Sequence, residues 1–276
     1  MVKIIAEMSA SHQQSFQKAL AIVWAAAEAG ADALKVQMFT PDDMTVNSDS
    51  DKYKIETGQW SGMTLYELYQ KACMPYDWIE ALKEHTESRG MEFIATVYHP
   101  RTVPIAVEMG IKSLKIASFE INYKNLLNSV DKTDLPVMVS TGSATEKEIS
   151  NVVSLLRRNL TLLKCTSQYP APPESMNINT IPDMKQKWNV PVGLSDHSLG
   201  HLSAVSAVVL GATVIEKHIT VDGKGLDGDF ALLPDRFNMM VQLIRETEKV
   251  LGEVKYGGAK TYHRELIDGQ MLRTVK

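Results

Sequence analysis

Two strand-like runs in this chain end in histidine. In "GLSDHSLG" (193–200) an apolar approach gives way to Ser195, Asp196, His197 and Ser198; in "TVIEKHIT" (213–220) another gives way to Glu216, Lys217 and His218. The histidines stand 21 positions apart with a helix-like stretch between them. That is the spacing of neighbouring strand ends in a repeating β/α protein. Two imidazoles side by side, with the carboxylate of Glu7 able to face them from the first strand, suit a divalent transition metal acting as a Lewis acid. His12, His85, His99, His201 and His263 have no such company and are read as structural. Nucleophilic catalysis fits poorly, because neither Cys73 nor Cys165 combines with a histidine at a strand end and no GxSxG elbow occurs.

The other predicted strand ends carry Lys35, Gln37, Thr96, Lys115, Ser118, Ser140, Thr141, Thr166, Ser167, Tyr169, Ser195 and Glu216. Two lysines ringed by hydroxyls are what a phosphate and a carboxylate need, positive charge with short donors around it. The simpler alternative is ion pairing of Lys35 and Lys115 with Glu216.

What must position these groups is a repeated unit. "EAGADALKVQ" (28–37), "EMGIKSLKIA" (108–117) and "VLGATVIEKH" (209–218) each close a helical pattern, turn on Gly30, Gly110 or Gly211, and enter a strand. Five positions after each glycine comes a charge, Lys35, Lys115 or Glu216, on the same face as the residue two further on. Strands are expected near 3–7, 33–37, 92–96, 113–117, 136–140, 161–165, 191–194 and 213–218. Between them Phe16, Ala19, Leu20, Val23, Ala26 and Ala27 follow helical spacing, with Ser11 and Gln14 as a capping box in front. Thr145 and Glu148 form a second box, and Phe237, Met240, Val241 and Ile244 mark a last helix that stops near Gly252. Eight alternations predict a single-domain α/β fold, a (β/α)8 TIM barrel over residues 1–252, with 253–276, including Gly257 and Gly258, as a tail or linker remnant. A doubly wound open sheet is the other topology this alternation allows, but no GxGxxG or Walker pattern follows any strand. Loops 38–64 and 219–233 are long enough to be substrate loops.

The chain has 276 residues, is 44% hydrophobic and 22% charged, and carries a net charge of −4. That balance supports neither a nucleic-acid stripe nor a polybasic membrane anchor, while a local anion site stays open. Its two cysteines form no CxxC pair and read as buried free thiols. The N-terminus has no leader pattern and no apolar run is long enough to span a bilayer, so a cytoplasmic setting is expected.

In order, "IIAEMSASH", "ALKVQ", "FIATVY", "LKIASFE", "VSTGSA", "CTSQYPAP", "GLSDHSLG" and "GATVIEKHIT" resemble the barrel domain of the sialic acid synthase family, from about residue 3 to 250. The resemblance implies condensation of phosphoenolpyruvate with N-acetylmannosamine or a related acetamido sugar, giving a 2-keto-3-deoxy sugar acid and phosphate. It implies that His197, His218 and Glu7 surround a divalent metal, most simply Mn2+ with Mg2+ or Co2+ as alternatives. Lys35, Thr96, Lys115, Ser118, Ser140, Ser167 and Ser195 match the family's phosphoenolpyruvate contacts, and Gln37, Tyr169 and Asp229 match positions near the acceptor. Asp196 and Ser198 would orient the turn that carries His197.

Departures from the family pattern touch the acceptor side. Ser11-His12-Gln13-Gln14 stands for the usual Asn-His-x-Gly, and Leu226-Asp227-Gly228-Asp229 for Pro-Gly-Pro-Asp. Family members usually add a C-terminal antifreeze-like domain that lends an arginine to the partner subunit's acceptor site, and this sequence ends at Lys276. The expectation is a piece of a longer chain or a barrel-only relative, assembled as a homo-oligomer, with loops 38–64 and 219–233 or a neighbouring subunit closing the site. Two other functions stay open: a Schiff-base aldolase using Lys35, Lys115 or Lys217, and a non-catalytic sugar-binding barrel.

Overall fold

The computed structural model describes residues 1–58, 60–156, 158–256 and 262–275. Eight parallel strands close into a barrel in sequence order: β1 (Lys3–Glu7), β2 (Ala33–Met38), β3 (Glu92–Val97), β4 (Leu114–Ile116), β5 (Val137–Ser140), β6 (Leu160–Cys165), β7 (Val192–Asp196) and β8 (Val214–His218). Closure comes from β1 pairing with β8, Lys3 opposite Val214 through Glu7 opposite His218. The open-sheet alternative is therefore excluded.

Each strand leads into a helix of the outer ring: α1 (Phe16–Glu28), α2 (Ile79–Glu87), α3 (Thr102–Glu108), α4 (Lys124–Asp131), α5 (Glu146–Leu156), α6 (Thr180–Trp188), α7 (Leu202–Val209) and α8 (Pro234–Leu251). The link from β2 to α2 holds two further helical segments, Pro41–Met44 and Leu65–Ala72. Gly30, Gly110 and Gly211 all adopt positive φ, so the three repeats do turn on glycine where a side chain would be strained.

Strand alternation divides the core in two. Ile4, Ala6, Leu34, Val36, Leu162, Leu194 and Ile215 face outward and pack with helix residues such as Ile22, Val23, Phe237 and Ile244. A smaller interior layer of Ile5, Ala33, Ile94, Met138, Leu163 and Val214 fills the barrel floor. One residue pair further along the same inward face come the polar side chains, so the apolar floor ends where the site begins.

The start of α1 differs from expectation. Residues 9–12 form a 3-10 turn, and Gln13 and Gln14 both have left-handed φ, so no helix can start at Ser11. The N-cap is Ser15, whose hydroxyl accepts from Lys18 N at 3.3 Å, and Gln14 Nε2 instead donates to Lys71 O at 3.1 Å. The Thr145–Glu148 box forms as expected, with Thr145 N donating to Glu148 Oε2 at 2.6 Å and Glu148 N to Thr145 Oγ1 at 3.4 Å. Within the stretch read as a tail, His263–Ile267 and Gln270–Thr274 pair as an antiparallel hairpin, while Gly257 and Gly258 lie outside the described residues. Among the described residues no helix is long and apolar enough to cross a membrane.

Candidate active site

A cavity of about 360 Å3 opens at the C-terminal ends of the strands. Its lining includes Glu7, Lys35, Gln37, Thr96, Lys115, Ser118, Ser140, Tyr169, Ser195, His197 and His218, so eleven of the thirteen expected site residues converge there. Alternation explains the gathering. Glu7, Lys35, Gln37, Thr96, Lys115, Ser140, Ser195, Glu216 and His218 share the inward face with the apolar floor, and His197 continues that face one step past β7.

On the floor the lysines are already paired. Lys35 Nζ donates to Thr96 Oγ1 at 2.8 Å and lies 2.7 Å from Glu7 Oε2 and 3.7 Å from Glu216 Oε1. Lys115 Nζ is 3.4 Å from Glu216 Oε1, which also accepts from Ser195 Oγ at 3.0 Å. The ion pairing of both lysines with Glu216 is thus present, Lys35 pairs with Glu7 as well, and both lysines line the cavity. Burial would lower Lys35, but Glu216 and Glu7 outweigh it and hold the ammonium above its usual range. Burial wins at Lys115, which sits below the usual range with Glu216 opposing only in part. For Glu216 burial is overcome by Lys115 and Lys35, and the carboxylate is kept well below its ordinary range. Two buried polar atoms of this cluster remain without hydrogen-bond partners among the described residues, Ser140 Oγ and Glu216 Oε2. Unpaired buried polar atoms are expensive, and a ligand in the cavity that both accepts and donates hydrogen bonds could satisfy them.

At the rim the histidine rings are 5.3 Å apart. His197 Nδ1 lies 3.0 Å from Thr166 O; a carbonyl only accepts, so Nδ1 carries the proton and Nε2 keeps a lone pair in the neutral ring. His218 Nδ1 is buried without a hydrogen bond, 3.4 Å from Asp227 Oδ2. This donor set fits a metal through two imidazoles with open positions for substrate and water. Glu7 does not complete it. Its carboxylate is held by Lys35 and by Gln37 Nε2 at 2.9 Å, and among the described residues no three His, Cys, Asp or Glu side chains cluster as a metal site.

Two expected residues stand elsewhere. Asp229 is exposed and does not line the cavity; Asp227 takes the place, buried, accepting from Ala10 N at 3.0 Å and facing His218. At Gly228 the loop packs so closely on itself that a Cβ would meet Gly223 O at 2.5 Å. Ser167 sits behind the wall, with its hydroxyl against Gly142 beside Ser118. One cysteine does meet a site histidine: Cys165 is buried, lines the cavity and has its Sγ 3.8 Å from His197 Nδ1, whereas Cys73 is only half-buried. The Cys165 thiol is drawn down to about 7 in spite of burial, by the His197 ring. Lys217 faces away from the cavity and pairs with Asp196 at 2.9 Å, which removes it as a Schiff-base nucleophile.

Sequence reasoning missed the outer wall. Phe39, Trp60, Tyr69, Tyr98, Phe119 and Phe230 line the mouth, together with Glu120, which burial pushes up to about 7. Trp60 Nε1 donates to Leu226 O at 3.2 Å, joining the two long loops. Of these, Tyr98 ends the motif FIATVY and Phe119 and Glu120 end LKIASFE, while Phe39, Trp60, Tyr69 and Phe230 belong to no motif.

The sequence profile of the NeuB family matches residues 22–256. The chain belongs to the NeuB family. A pseudaminic acid synthase of Campylobacter jejuni is 42% identical over 260 residues, covering 92% of this chain and 76% of that protein. Human N-acetylneuraminate-9-phosphate synthase is 30% identical over 255 residues, covering 90% and 71%. Among solved structures, the N-acetylneuraminic acid synthetase of Leptospira borgpetersenii superposes with a TM-score of 0.84 at 30% identity, covering 94% of this chain and 87% of that one. This NeuB chain is thus a synthase-type enzyme of a family with the same barrel, and its cavity is the one described here.

Proposed function

We propose that this NeuB-family protein condenses phosphoenolpyruvate with an acetamido aldose related to N-acetylmannosamine, giving a sialic-acid-type 2-keto-3-deoxy sugar acid and phosphate. The observation that carries it is a cavity with two buried lysines and the unpaired hydroxyl of Ser140 at its base, beneath a rim with two histidines. The floor suits the phosphate and carboxylate of phosphoenolpyruvate; the rim suits an aldehyde.

In this reading Lys35, Lys115, Ser140, Ser195 and Thr96 bind the anion, with Ser118 and Ser167 supporting it from the wall. Their charge stabilises what develops on phosphate and carboxylate as C3 of the enol attacks the aldehyde carbon. His197 and His218 would hold a divalent cation, most simply Mn2+, which when bound supplies Lewis-acid polarisation of a carbonyl oxygen. Glu7, held by Lys35 and Gln37, takes a proton in this reading from the water that adds at C2 before phosphate leaves. Tyr169, Gln37 and the aromatic wall of Trp60, Tyr98 and Phe230 pack against the acceptor, and so apolar a wall favours a sugar bearing acetamido methyls or deoxy carbons. The higher identity to pseudaminic acid synthase than to the human neuraminate-9-phosphate synthase points the same way.

Phosphate release from phosphoenolpyruvate across a panel of acetamido aldoses, with and without EDTA and Mn2+, tests the reading. Turnover that needs both metal and an acetamido aldose is expected; none with any acceptor would sink it. The depressed pKa of Lys115 favours one rival, a Schiff base at that amine. Borohydride trapping of substrate on Lys115 would establish that rival instead.

A further inference from the structure

Beside each rim histidine, one position back along the chain, stands a fully buried charge. Asp196 precedes His197 and Lys217 precedes His218, and the two are directly opposite in the β7–β8 register. Alternation turns them to the outer face of the barrel while the histidines turn inward. Lys217 Nζ donates to Asp196 Oδ2 at 2.9 Å and also to Ser198 O. Asp196 Oδ1 accepts from Ser198 N at 2.8 Å and from Ser198 Oγ at 2.6 Å, and Ser198 Oγ lies 3.0 Å from Ser203 Oγ in α7. Ala171 N closes the turn by donating to His197 O at 2.9 Å. Residues on both sides of His197 are therefore clamped to the strand end that carries His218.

Burial makes this arrangement informative. Both side chains have no measurable exposure, and a buried ion pair contributes little net stability that an apolar pair of similar volume would not match. Its location between the histidines gives it something else to do. We propose that Lys217 and Asp196 are positioning residues, a buried cross-strand clamp that fixes the His197 ring against Thr166 O and sets its separation from His218. This rests on the proposed condensation for its catalytic meaning, and on the geometry alone for the clamp. Charge on the clamp never meets substrate; it acts through the two rings.

The test is the double variant Asp196→Asn with Lys217→Met, which removes both charges together while keeping an acceptor for Ser198 N. The melting midpoint should fall only moderately, because no unpaired charge is left buried, although Ser198 O loses a donor. Nitrogen-15 spectra of the histidine rings in metal-free protein, at a pH where the rings are neutral, should show the His197 Nδ1–H tautomer giving way to a mixture. Mn2+ affinity, followed by electron paramagnetic resonance, should fall about ten- to hundred-fold, as is usual when groups behind metal-binding histidines are changed. The same loss should appear in kcat, with KM for phosphoenolpyruvate nearly unchanged. An unchanged tautomer together with unchanged Mn2+ affinity overturns the clamp. Wild type that binds no Mn2+ overturns the metal assignment only; the tautomer then decides the clamp, a mixture supporting it and a pure form refuting it. Should the double variant fail to fold, Ser198→Ala removes one hydroxyl from the same turn and no charge, and a smaller shift in the same direction is expected.

Discussion

At Lys115 and Glu120 burial outweighs the neighbouring groups in setting the chemistry of a single residue. Lys115 has Glu216 at 3.4 Å and, among the described residues, no other hydrogen-bond or ion-pair partner for its ammonium. Lys115→Met should therefore weaken phosphoenolpyruvate binding by about 1.5–3 kcal/mol, the worth of a charge-assisted hydrogen bond, and leave acceptor binding nearly intact. Calorimetric titration with each substrate checks this. Because the pKa of Lys115 is depressed, its charge is lost at a lower pH than that of an ordinary lysine. Wild-type affinity should accordingly decline in the alkaline range, and the variant should lack that decline. Glu120 moves in the other direction. Burial raises its folded pKa to about 7, above the unfolded value near 4.5, so ionising it opposes folding. Its penalty is absent below pH 4.5, grows between there and about 7, and is complete above. Glu120→Gln should therefore melt higher than wild type at pH 8, by an amount of order 1–3 kcal/mol, with the difference vanishing below about pH 4.5. Equal melting at both pH values would mean the carboxyl is better solvated than the structure shows.

Strands β7 and β8 and the loop after β8 carry the rim, and each has one position where the element depends on a single residue. At Gly193 a Cβ would stand 2.4 Å from Val214 O and 2.8 Å from Leu163 Cδ2, a backbone and an interior contact that cannot move cheaply. Gly193→Ala should destabilise the barrel by about 1–3 kcal/mol in urea unfolding and push β7 away from β8, lowering activity as well. In the loop, Asp227 ties Ala10 N to the region of His218, whereas Asp229 is exposed. Asp227→Ala is expected to raise the acceptor KM at least tenfold, the loss of about one charge-assisted hydrogen bond, with little change for phosphoenolpyruvate. Asp229→Ala should behave like wild type in the same assay.

Taken whole, the barrel separates stability from chemistry. Its stability resides in the outward-facing apolar layer against the helices, and its chemistry in the inward polar layer above the floor. His197→Ala and His218→Ala should each abolish Mn2+ binding and most turnover while lowering the unfolding free energy by no more than about 1 kcal/mol, since neither side chain belongs to the apolar core. Metal analysis alongside an unfolding curve decides this, and unchanged metal content in both variants would remove the ligand assignment.

Much of this was legible in the residue order because strand and helix periodicities are local. Gly30, Gly110 and Gly211 marked the helix ends, and two-residue alternation placed Lys35, Lys115, Ser140, Ser195, Glu216 and His218 on one face before any contact was known. Whatever depended on a loop path or on a neighbour distant in sequence was decided by the tertiary structure. The family resemblance put Asp229 near the acceptor, but in the folded chain Asp229 is exposed and it is Asp227 that faces His218. Glu7 on the first strand was free to face the histidines until Lys35 and Gln37, on the next strand, claimed its oxygens. Ser11 read as a cap because its spacing to Gln14 is right, yet two left-handed residues delay the helix to Phe16. Cys165 meets His197 only because β6 and β7 lie side by side, and the aromatic wall forms only when both long loops fold over the mouth. Periodicity fixes which way a side chain points, because that depends on neighbours two to four residues away; which partner it finds there depends on closure of the barrel and the course of its loops.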